Sequence, residues 1–232
     1  MRSLRSLATV SALALLATLG SAAQAAGINV QFSRDPGLQQ TGAAFVGQAG
    51  DHWNDFLGNA GGGALLDTAG AATGVSLSFS AALVYESDPG YTKFTGTPYA
   101  NLMQGYLVDF MDSPGIDLKF SGLTPGQEYG FWVYTQGDNN SGNRRISLSA
   151  NGGTAVVNHQ ADDDVFVAGH NLAYIVSYAN AFGVVDLVGR DIYGEANING
   201  VQFMPVPEPT TAPLLVAGVL FVAGTLLRRR GR

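Results

Sequence analysis

Alternation of apolar and polar residues is the feature that most limits the folds open to this 232-residue chain. Three runs have the pattern, with apolar residues at Val75, Leu77, Phe79, Ala81 and Leu83, at Ile116, Leu118 and Phe120, and at Ile146, Leu148 and Ala150. A period of two is typical of half-buried β-strands. Clusters of Gly, Asn, Asp and Pro separate the runs as turns do. The pattern predicts an all-β fold, an antiparallel β-sandwich or barrel, with one short helical turn at Asp51–Leu57.

The stretch GLTPGQEYGFWVYTQG, residues 122–137, combines a turn and a strand. Its alternation assigns Tyr129, Phe131 and Val133 to one face, and Gly130, Trp132 and Tyr134 to the other. The motif Leu-x-Pro-Gly-x-x-Tyr resembles the tyrosine corner of fibronectin type III domains. About 75 residues follow before the C-terminal segment, which is too many for a sandwich of about 100 residues in all.

The N-terminus has the three parts of a secretory signal in order. Arg2 and Arg5 form a basic region, Leu7–Leu19 an apolar core, and Ala23-Gln24-Ala25 a small-x-small cleavage site. We predict that residues 1–26 are a signal peptide, cleaved after the site formed by Ala23 and Ala25.

The C-terminal segment, residues 206–232, begins with Pro-rich sequence and ends in arginines. The uncharged run Leu214–Leu227 between them would span about 21 Å as a helix. This is short of the roughly 30 Å hydrocarbon core of a bilayer, so the run predicts a marginal transmembrane helix. Arg228, Arg229 and Arg230 should then stay on the cytoplasmic side, with the body of the chain outside.

Val206-Pro207-Glu208-Pro209, the short apolar run and the arginine cluster resemble the PEP-CTERM sorting signal of Gram-negative bacteria. The resemblance implies recognition and removal of the tail by an exosortase, an integral-membrane cysteine protease. It also implies an inner-membrane-anchored precursor that reaches the cell surface, the outer envelope or the extracellular matrix. The family is associated with exopolysaccharide and biofilm production.

The body between the two signals, residues 27–205, contains six basic and 17 acidic residues, a net charge of −11. Nucleic acid is an unsuitable partner for such a domain, because phosphate contacts require a basic face. The charge suits cation binding, neutral glycans or solubility. The chain has no cysteine, which excludes disulfides, thiolate metal sites and a cysteine nucleophile.

The opening INVQF, the following TGAAFVGQAGDHWNDF and the closing NINGVQF resemble segments of galactose-binding-like jelly rolls. Exported domains of this kind occur on many PEP-CTERM proteins. The resemblance covers most of Ile28–Phe203 and implies a jelly-roll sandwich. It supports a fold more than a function, because one fold hosts many functions.

Aromatic residues with a polar edge are the candidates for ligand contact, because such rings stack well on sugars. We predict that Tyr91, Tyr99, Trp132 and Tyr134 contribute, with the long segment Tyr85–Met103 as the binding surface. The alternative is that Trp53 and Trp132 simply pack in the core or under a loop.

Adjacent Asp162, Asp163 and Asp164 are the candidate metal ligands. They would repel one another unless a cation offset their charge, and calcium takes such oxygen ligands. A structural calcium is thus the one cofactor to consider, although adjacent strand residues point to opposite faces and a solvated acidic turn is the alternative. His52, His159 and His170 form no HExxH motif, and no G-x-S-x-G is present.

These features together favour an exported, non-catalytic surface or matrix protein that binds extracellular polysaccharide. A secreted glycan hydrolase or lyase is one alternative, because 17 acidic residues allow chance pairs of carboxylates. A structural or adhesive surface protein without a ligand is the other. An enzyme would require a concave pocket with convergent carboxylates, whereas a ligand-free protein would lack an aromatic platform.

Overall fold

A computed structural model describes residues 26–110, 113–138, 144–159 and 164–207. No helix among these residues is long and apolar enough to cross a bilayer. The cleavage residues of the predicted signal peptide lie outside the described residues, as do the predicted C-terminal span and its three arginines.

The described residues form β-strands with only short helical pieces between them. The strands are β1 Ile28–Ser33, β2 Asn54–Leu57, β3 Ala60–Leu66, β4 Ala72–Ser80, β5 Leu83–Glu86, β6 Gly105–Phe110, β7 Ile116–Ser121, β8 Glu128–Tyr134, β9 Arg144–Ala150, β10 Gly153–His159, β11 Leu172–Tyr178, β12 Val185–Tyr193, β13 Glu195–Ile198 and β14 Gly200–Pro205. The helix α1 covers Ala100–Gln104, and single 3-10 turns cover Pro36–Leu38 and Pro89–Tyr91.

The strands form three sheets. The first sheet has the spatial order β11–β8–β14–β1–β2, the second β10–β9–β12–β7–β4–β3, and the third β13–β6–β5. One apolar core receives side chains from all three sheets, such as Phe131 from the first, Leu118 from the second and Leu107 from the third. The prediction of an all-β sandwich is therefore confirmed.

One pair of strands departs from the antiparallel prediction. β2 runs parallel to β1, with Val30 opposite Asn54 and Phe32 opposite Phe56. Parallel neighbours require a long crossover connection. The chain between them, residues 34–53, supplies that connection, so the sandwich is not wholly antiparallel.

Alternation located the core strands correctly. Val75, Leu77 and Phe79 of β4 are buried, and so are the apolar residues named for β7 and β9. The predicted continuation of the first run was wrong, because β4 ends at Ser80 and Leu83 lies in the third sheet with 42% of its surface exposed.

The predicted helical turn at Asp51–Leu57 is also wrong, because its second half forms β2. Long-range hydrogen bonds of Asn54 explain the difference. Its amide nitrogen donates to the carbonyl oxygens of Asn29 and Leu66, and its amide oxygen accepts from the Leu66 N–H. These contacts hold the segment extended against β1 and β3, which local propensity could not predict.

Candidate functional site

The outer face of the first sheet is covered at one end by loops. Asn29, Gln31 and Ser33 of β1 alternate with core residues and so point outward, yet none is accessible to solvent. Residues 34–53 and 87–104 lie over them. Buried polar groups need hydrogen-bond partners, and here the backbone of the covering loops provides them.

Two glutamines attach the loops to the sheet. The amide of Gln202 in β14 contacts both backbone groups of Val46, accepting from its N–H at 3.0 Å and donating to its carbonyl oxygen. Gln31 donates to the Leu38 carbonyl at 2.6 Å and accepts from the Gln40 N–H at 2.6 Å. Each glutamine side chain thus donates one hydrogen bond to the loop backbone and accepts one from it, as the backbone of a neighbouring strand would.

Apolar side chains fill the space under this cover and form a second, outer cluster. Its buried members are Ala44, Trp53, Phe94, Leu102, Met103, Tyr134 and Leu172. Tyr134 is fully buried, and its hydroxyl accepts from the Phe45 N–H at 2.9 Å. Burial raises the pKa of this hydroxyl well above its usual range. A ring in this position has no face open to a ligand, so Tyr134 is part of the packing.

The segment Tyr85–Met103 contributes Phe94, Leu102 and Met103 to the buried side of this cover, and many of its other residues are exposed. Tyr99 packs edge-on against Phe166, with ring centroids 4.6 Å apart. Tyr91 is the last residue of the second 3-10 turn and remains 45% exposed. Of the four predicted residues, Tyr99, Trp132 and Tyr134 lie in or against the outer cluster, whereas Tyr91 is not among its members.

Trp132 lies where the cover ends and the sheet is open. It is half-buried at the edge of the outer cluster, and Tyr174 of β11 stands directly opposite it in the strand register. The two rings are 4.8 Å apart between centroids and tilted by 44°, and Tyr174 is 50% exposed. We call this pair, with the open strand surface beside it, the aromatic face.

Gly130 gives Tyr174 room to lie along the sheet. A β-carbon at this glycine would stand 2.6 Å from the Tyr174 hydroxyl oxygen and 2.9 Å from its ring. The ring therefore lies over the backbone of β8. An aromatic ring held against a sheet in this way has little conformational entropy to lose when a ligand binds.

Tyr178 and Glu128 form the far end of the aromatic face. The neighbouring Glu128 carboxylate raises the pKa of the Tyr178 phenol. Tyr178 lies four positions after Tyr174 along the strand, a distance of about 13 Å. The face therefore offers aromatic rings at both ends and a carboxylate acceptor at one.

Sequence reasoning missed Tyr174 and Tyr178. Both belong to the run LAYIVSY of β11, in which Tyr174, Val176 and Tyr178 alternate with buried Ala173, Ile175 and Ser177. The same period-two rule that located the other strands would have assigned these tyrosines to an outward face.

The described residues contain no group that fits a metal ion. Among them, no three His, Asp or Glu side chains converge as ligands would. Asp164 is exposed in a bend, whereas Asp162 and Asp163 lie outside the described residues.

The predicted sorting motif begins where the first sheet ends. The Val206 N–H donates to the Glu128 carbonyl at 2.8 Å, and the Val206 carbonyl accepts from Gln127 at 3.1 Å. Pro207 is exposed. Glu208 and Pro209 lie outside the described residues.

Comparison with known proteins identifies no family. No family model matches the chain, and no curated protein matches it. Among solved structures it is similar to a calcium-binding mutant of Bacteroides uniformis beta-glucuronidase 2, with 12% identity, a TM-score of 0.48, and coverage of 78% of this chain and 18% of that one.

Two further structures show weaker likeness. One is Bacteroides uniformis beta-glucuronidase, with 14% identity, a TM-score of 0.38, and coverage of 78% of this chain and 18% of that one. The other is a family GH115 4-O-methyl-alpha-glucuronidase with specificity for decorated arabinogalactans, with 13% identity, a TM-score of 0.32, and coverage of 45% and 15%. The chain spans less than a fifth of the length of these structures. At such identities and TM-scores the likenesses carry no inference about fold or function.

Proposed function

We propose that this chain is an exported, non-catalytic surface or matrix protein whose β-sandwich binds an extracellular polysaccharide along the aromatic face. An exosortase would remove its C-terminal tail and release it from the inner membrane to the envelope or matrix. The observation that carries the binding proposal is the partly exposed pair of rings, Trp132 and Tyr174, on the open surface of β8 and β11.

Aromatic rings that are exposed beside polar groups are suited to sugars, because a pyranose ring presents an apolar face and polar edges. The Tyr174 and Tyr178 hydroxyls and the Glu128 carboxylate can exchange hydrogen bonds with hydroxyls at those edges. No separate cavity is needed for this mode of binding, and the length of the face suits a chain segment better than a single ring.

The shape of the aromatic face and the net charge of the domain indicate which class of polysaccharide would bind. Two rings tilted by 44° cannot both lie flat on one planar surface, which favours a single twisted chain over a crystalline one. The domain carries a net charge of −11 over residues 27–205. Repulsion would disfavour polyanionic chains, so we propose a neutral polysaccharide.

The sorting motif and its position support the export proposal. Val206 is held by two hydrogen bonds to the strand end at Gln127 and Glu128. Proline restricts the backbone at Pro207 and disfavours helix at the residue before it, so the motif would leave the sheet extended. An extended segment between the domain and the membrane is a suitable protease substrate.

Binding can be tested with the full-length protein in a detergent that lacks a sugar headgroup, on an array of neutral and acidic polysaccharides. We expect binding to a neutral polymer to weaken about tenfold or more in Trp132→Ala and Tyr174→Ala, about 1.4 kcal/mol. Tyr193→Ala is the matched control, because Tyr193 is 60% exposed on the second sheet.

Three outcomes would contradict this proposal. Absence of binding to any polymer would favour a ligand-free structural protein. Equal loss in the Tyr193 control would show that the effect is not specific to the aromatic face. Release of shorter sugars on incubation would indicate the alternative, a glycan hydrolase or lyase.

Processing can be tested by intact mass of the protein from a host with an exosortase and from the same host with the exosortase deleted. We expect loss of the segment after the Val206–Pro209 region only when the exosortase is present. A full-length tail in both strains, with the protein still in the inner membrane, would make it a tail-anchored periplasmic protein.

A further inference from the structure

A concave site lies on the outer face of the third sheet, away from the aromatic face. We call it the third-sheet pocket. It has a volume of about 260 Å³ and is lined by, among others, Tyr85, Tyr106, Phe110, Asp138, Arg144 and Glu195. Its size is below the roughly 300–1,000 Å³ of pockets for drug-sized ligands, so it suits a small molecule or a single ring.

A nearly buried guanidinium forms the polar floor of this pocket. The Arg144 side chain is 8% exposed, and its Nη2 contacts Asp138 Oδ1 at 3.0 Å and Glu195 Oε1 at 2.7 Å. Arg144 opens β9 and Glu195 opens β13, so the cluster joins the second sheet to the third. Both carboxylates are ion-pair partners of one arginine, an arrangement that holds them in place.

One donor of this arginine has no acceptor in the part of the chain that the structure describes. Its Nε is buried and has no hydrogen-bond partner among the described residues. Buried donors are nearly always satisfied in proteins, so this atom needs an acceptor, which a water or a ligand hydroxyl would supply once the side chain shifts toward the pocket. Gly137 leaves the space for the guanidinium, because a β-carbon there would overlap Arg144.

The rim of the pocket is apolar and partly aromatic. Tyr85 is 39% exposed and packs against buried Tyr106, with ring centroids 5.5 Å apart. Leu83 and Phe110 are each 42% exposed beside it. A ligand in the pocket would therefore meet a ring face on one side and charged groups below.

Ligand chemistry follows from this combination. Arg144 offers a donor, and the carboxylates of Asp138 and Glu195 are acceptors, so the ligand must both accept and donate hydrogen bonds within a short distance. Adjacent hydroxyls of a sugar do both. One arginine with two carboxylates has a net charge of −1, which would repel an anionic ligand such as a uronate.

The geometry points to the third-sheet pocket as a binding site for one neutral sugar ring, stacked on Tyr85 and hydrogen-bonded by Arg144, Asp138 and Glu195. The site goes beyond the polysaccharide binding proposed for the aromatic face. It would hold a monosaccharide or a chain end, whereas that face would hold the middle of a chain.

The test is titration of the full-length protein, in the sugar-free detergent, with methyl glycosides of glucose, galactose, mannose and glucuronic acid, followed by ligand-detected NMR. We expect at least one neutral glycoside to bind and the glucuronide to bind at least fivefold more weakly. Tyr85→Ala should weaken binding tenfold or more, and Glu195→Gln should weaken it while keeping the size of the side chain.

Trp132→Ala separates the two proposals, because it should leave glycoside binding unchanged while it weakens polysaccharide binding. Should Glu195→Gln fail to fold, Tyr85→Ala decides, since Tyr85 is a partly exposed rim residue. The proposal is overturned if no neutral glycoside binds, if the glucuronide binds as tightly, or if Tyr85→Ala binds like the unchanged protein. If no glycoside binds at all, the arginine cluster is a purely structural link between sheets.

Discussion

Tyr129 closes the turn that precedes β8, and it does so with its hydroxyl group. The hydroxyl oxygen accepts from the Thr124 N–H at 3.1 Å, across a turn in which Gly126 takes a φ of 76°. The ring is 6% exposed and lies in the main core. The predicted tyrosine corner is therefore present, in a domain that is not otherwise of fibronectin length.

Tyr129→Phe should lower the free energy of unfolding by about 1 kcal/mol, because it removes one hydrogen bond and leaves the packing intact. Urea denaturation of the two proteins measures the difference. Tyr193→Phe is the control, since Tyr193 is 60% exposed. Equal midpoints for the two variants would mean that the corner hydrogen bond adds nothing to stability.

The negative charge of Asp55 in β2 destabilises the folded state. Partial burial raises the pKa of its carboxyl, and a hydrogen bond from Ser33 at 3.0 Å opposes this only in part. Because the pKa is higher in the folded state than in the unfolded state, the ionised carboxylate lowers the stability of the folded protein at neutral pH, and this is the penalty. It disappears as the pH falls below the unfolded value of about 3.9.

We expect Asp55→Asn to raise the thermal midpoint at pH 7, and the gain to shrink as the pH is lowered toward 4. Asparagine can still accept from Ser33, so the change removes the charge and keeps the hydrogen bond. Melting curves of both proteins from pH 4 to 7 measure it. A gain that is constant with pH, or absent at pH 7, would contradict the assignment.

At the scale of elements, the pairing of β8 with β11 creates the aromatic face. The register sets Trp132 opposite Tyr174 and Gly130 opposite Val176. Because Gly130 lacks a β-carbon, the ring of Tyr174 can lie over β8. The face is thus a property of two strands and not of either one.

Gly130→Ala should displace the Tyr174 ring and weaken polysaccharide binding severalfold. It should change the free energy of unfolding by less than about 1 kcal/mol, because the displaced side chain is half-exposed and alanine suits a strand better than glycine. Gly90→Ala is the control, with open space around the added carbon. Unchanged binding in Gly130→Ala would argue against a role for the ring orientation.

At the scale of the whole molecule, two apolar clusters share the first sheet. The main core lies on its inner face, and the outer cluster lies under the loops on its other face. Buried side chains of Gln31 and Gln202 connect the sheet to those loops. Opening the cover would expose the apolar side chains of the outer cluster to water, so cover and sandwich should unfold together.

Both tryptophans of the chain, Trp53 and Trp132, lie in or against the outer cluster. Their fluorescence therefore reports the cover, whereas far-UV circular dichroism reports the strands. We expect the two urea transitions to coincide. A fluorescence transition at clearly lower urea would make the cover a separate unit that opens alone.

The sequence by itself determined where several of the strands form and which way their side chains point. Alternation located β4, β7 and β9, and it separated Phe131 and Val133 from Trp132 and Tyr134. A period of two is local information, because each residue's direction depends only on its neighbours along the strand.

Only the tertiary structure decided which part of an outward face is open. Trp132 and Tyr134 share one face of β8, yet Tyr134 is fully buried and Trp132 lies beside exposed Tyr174. The difference comes from loops held by contacts distant in sequence, such as Val46 on Gln202, 156 residues apart. Alternation assigns a residue to a face, whereas exposure depends on what long-range packing lays over that face.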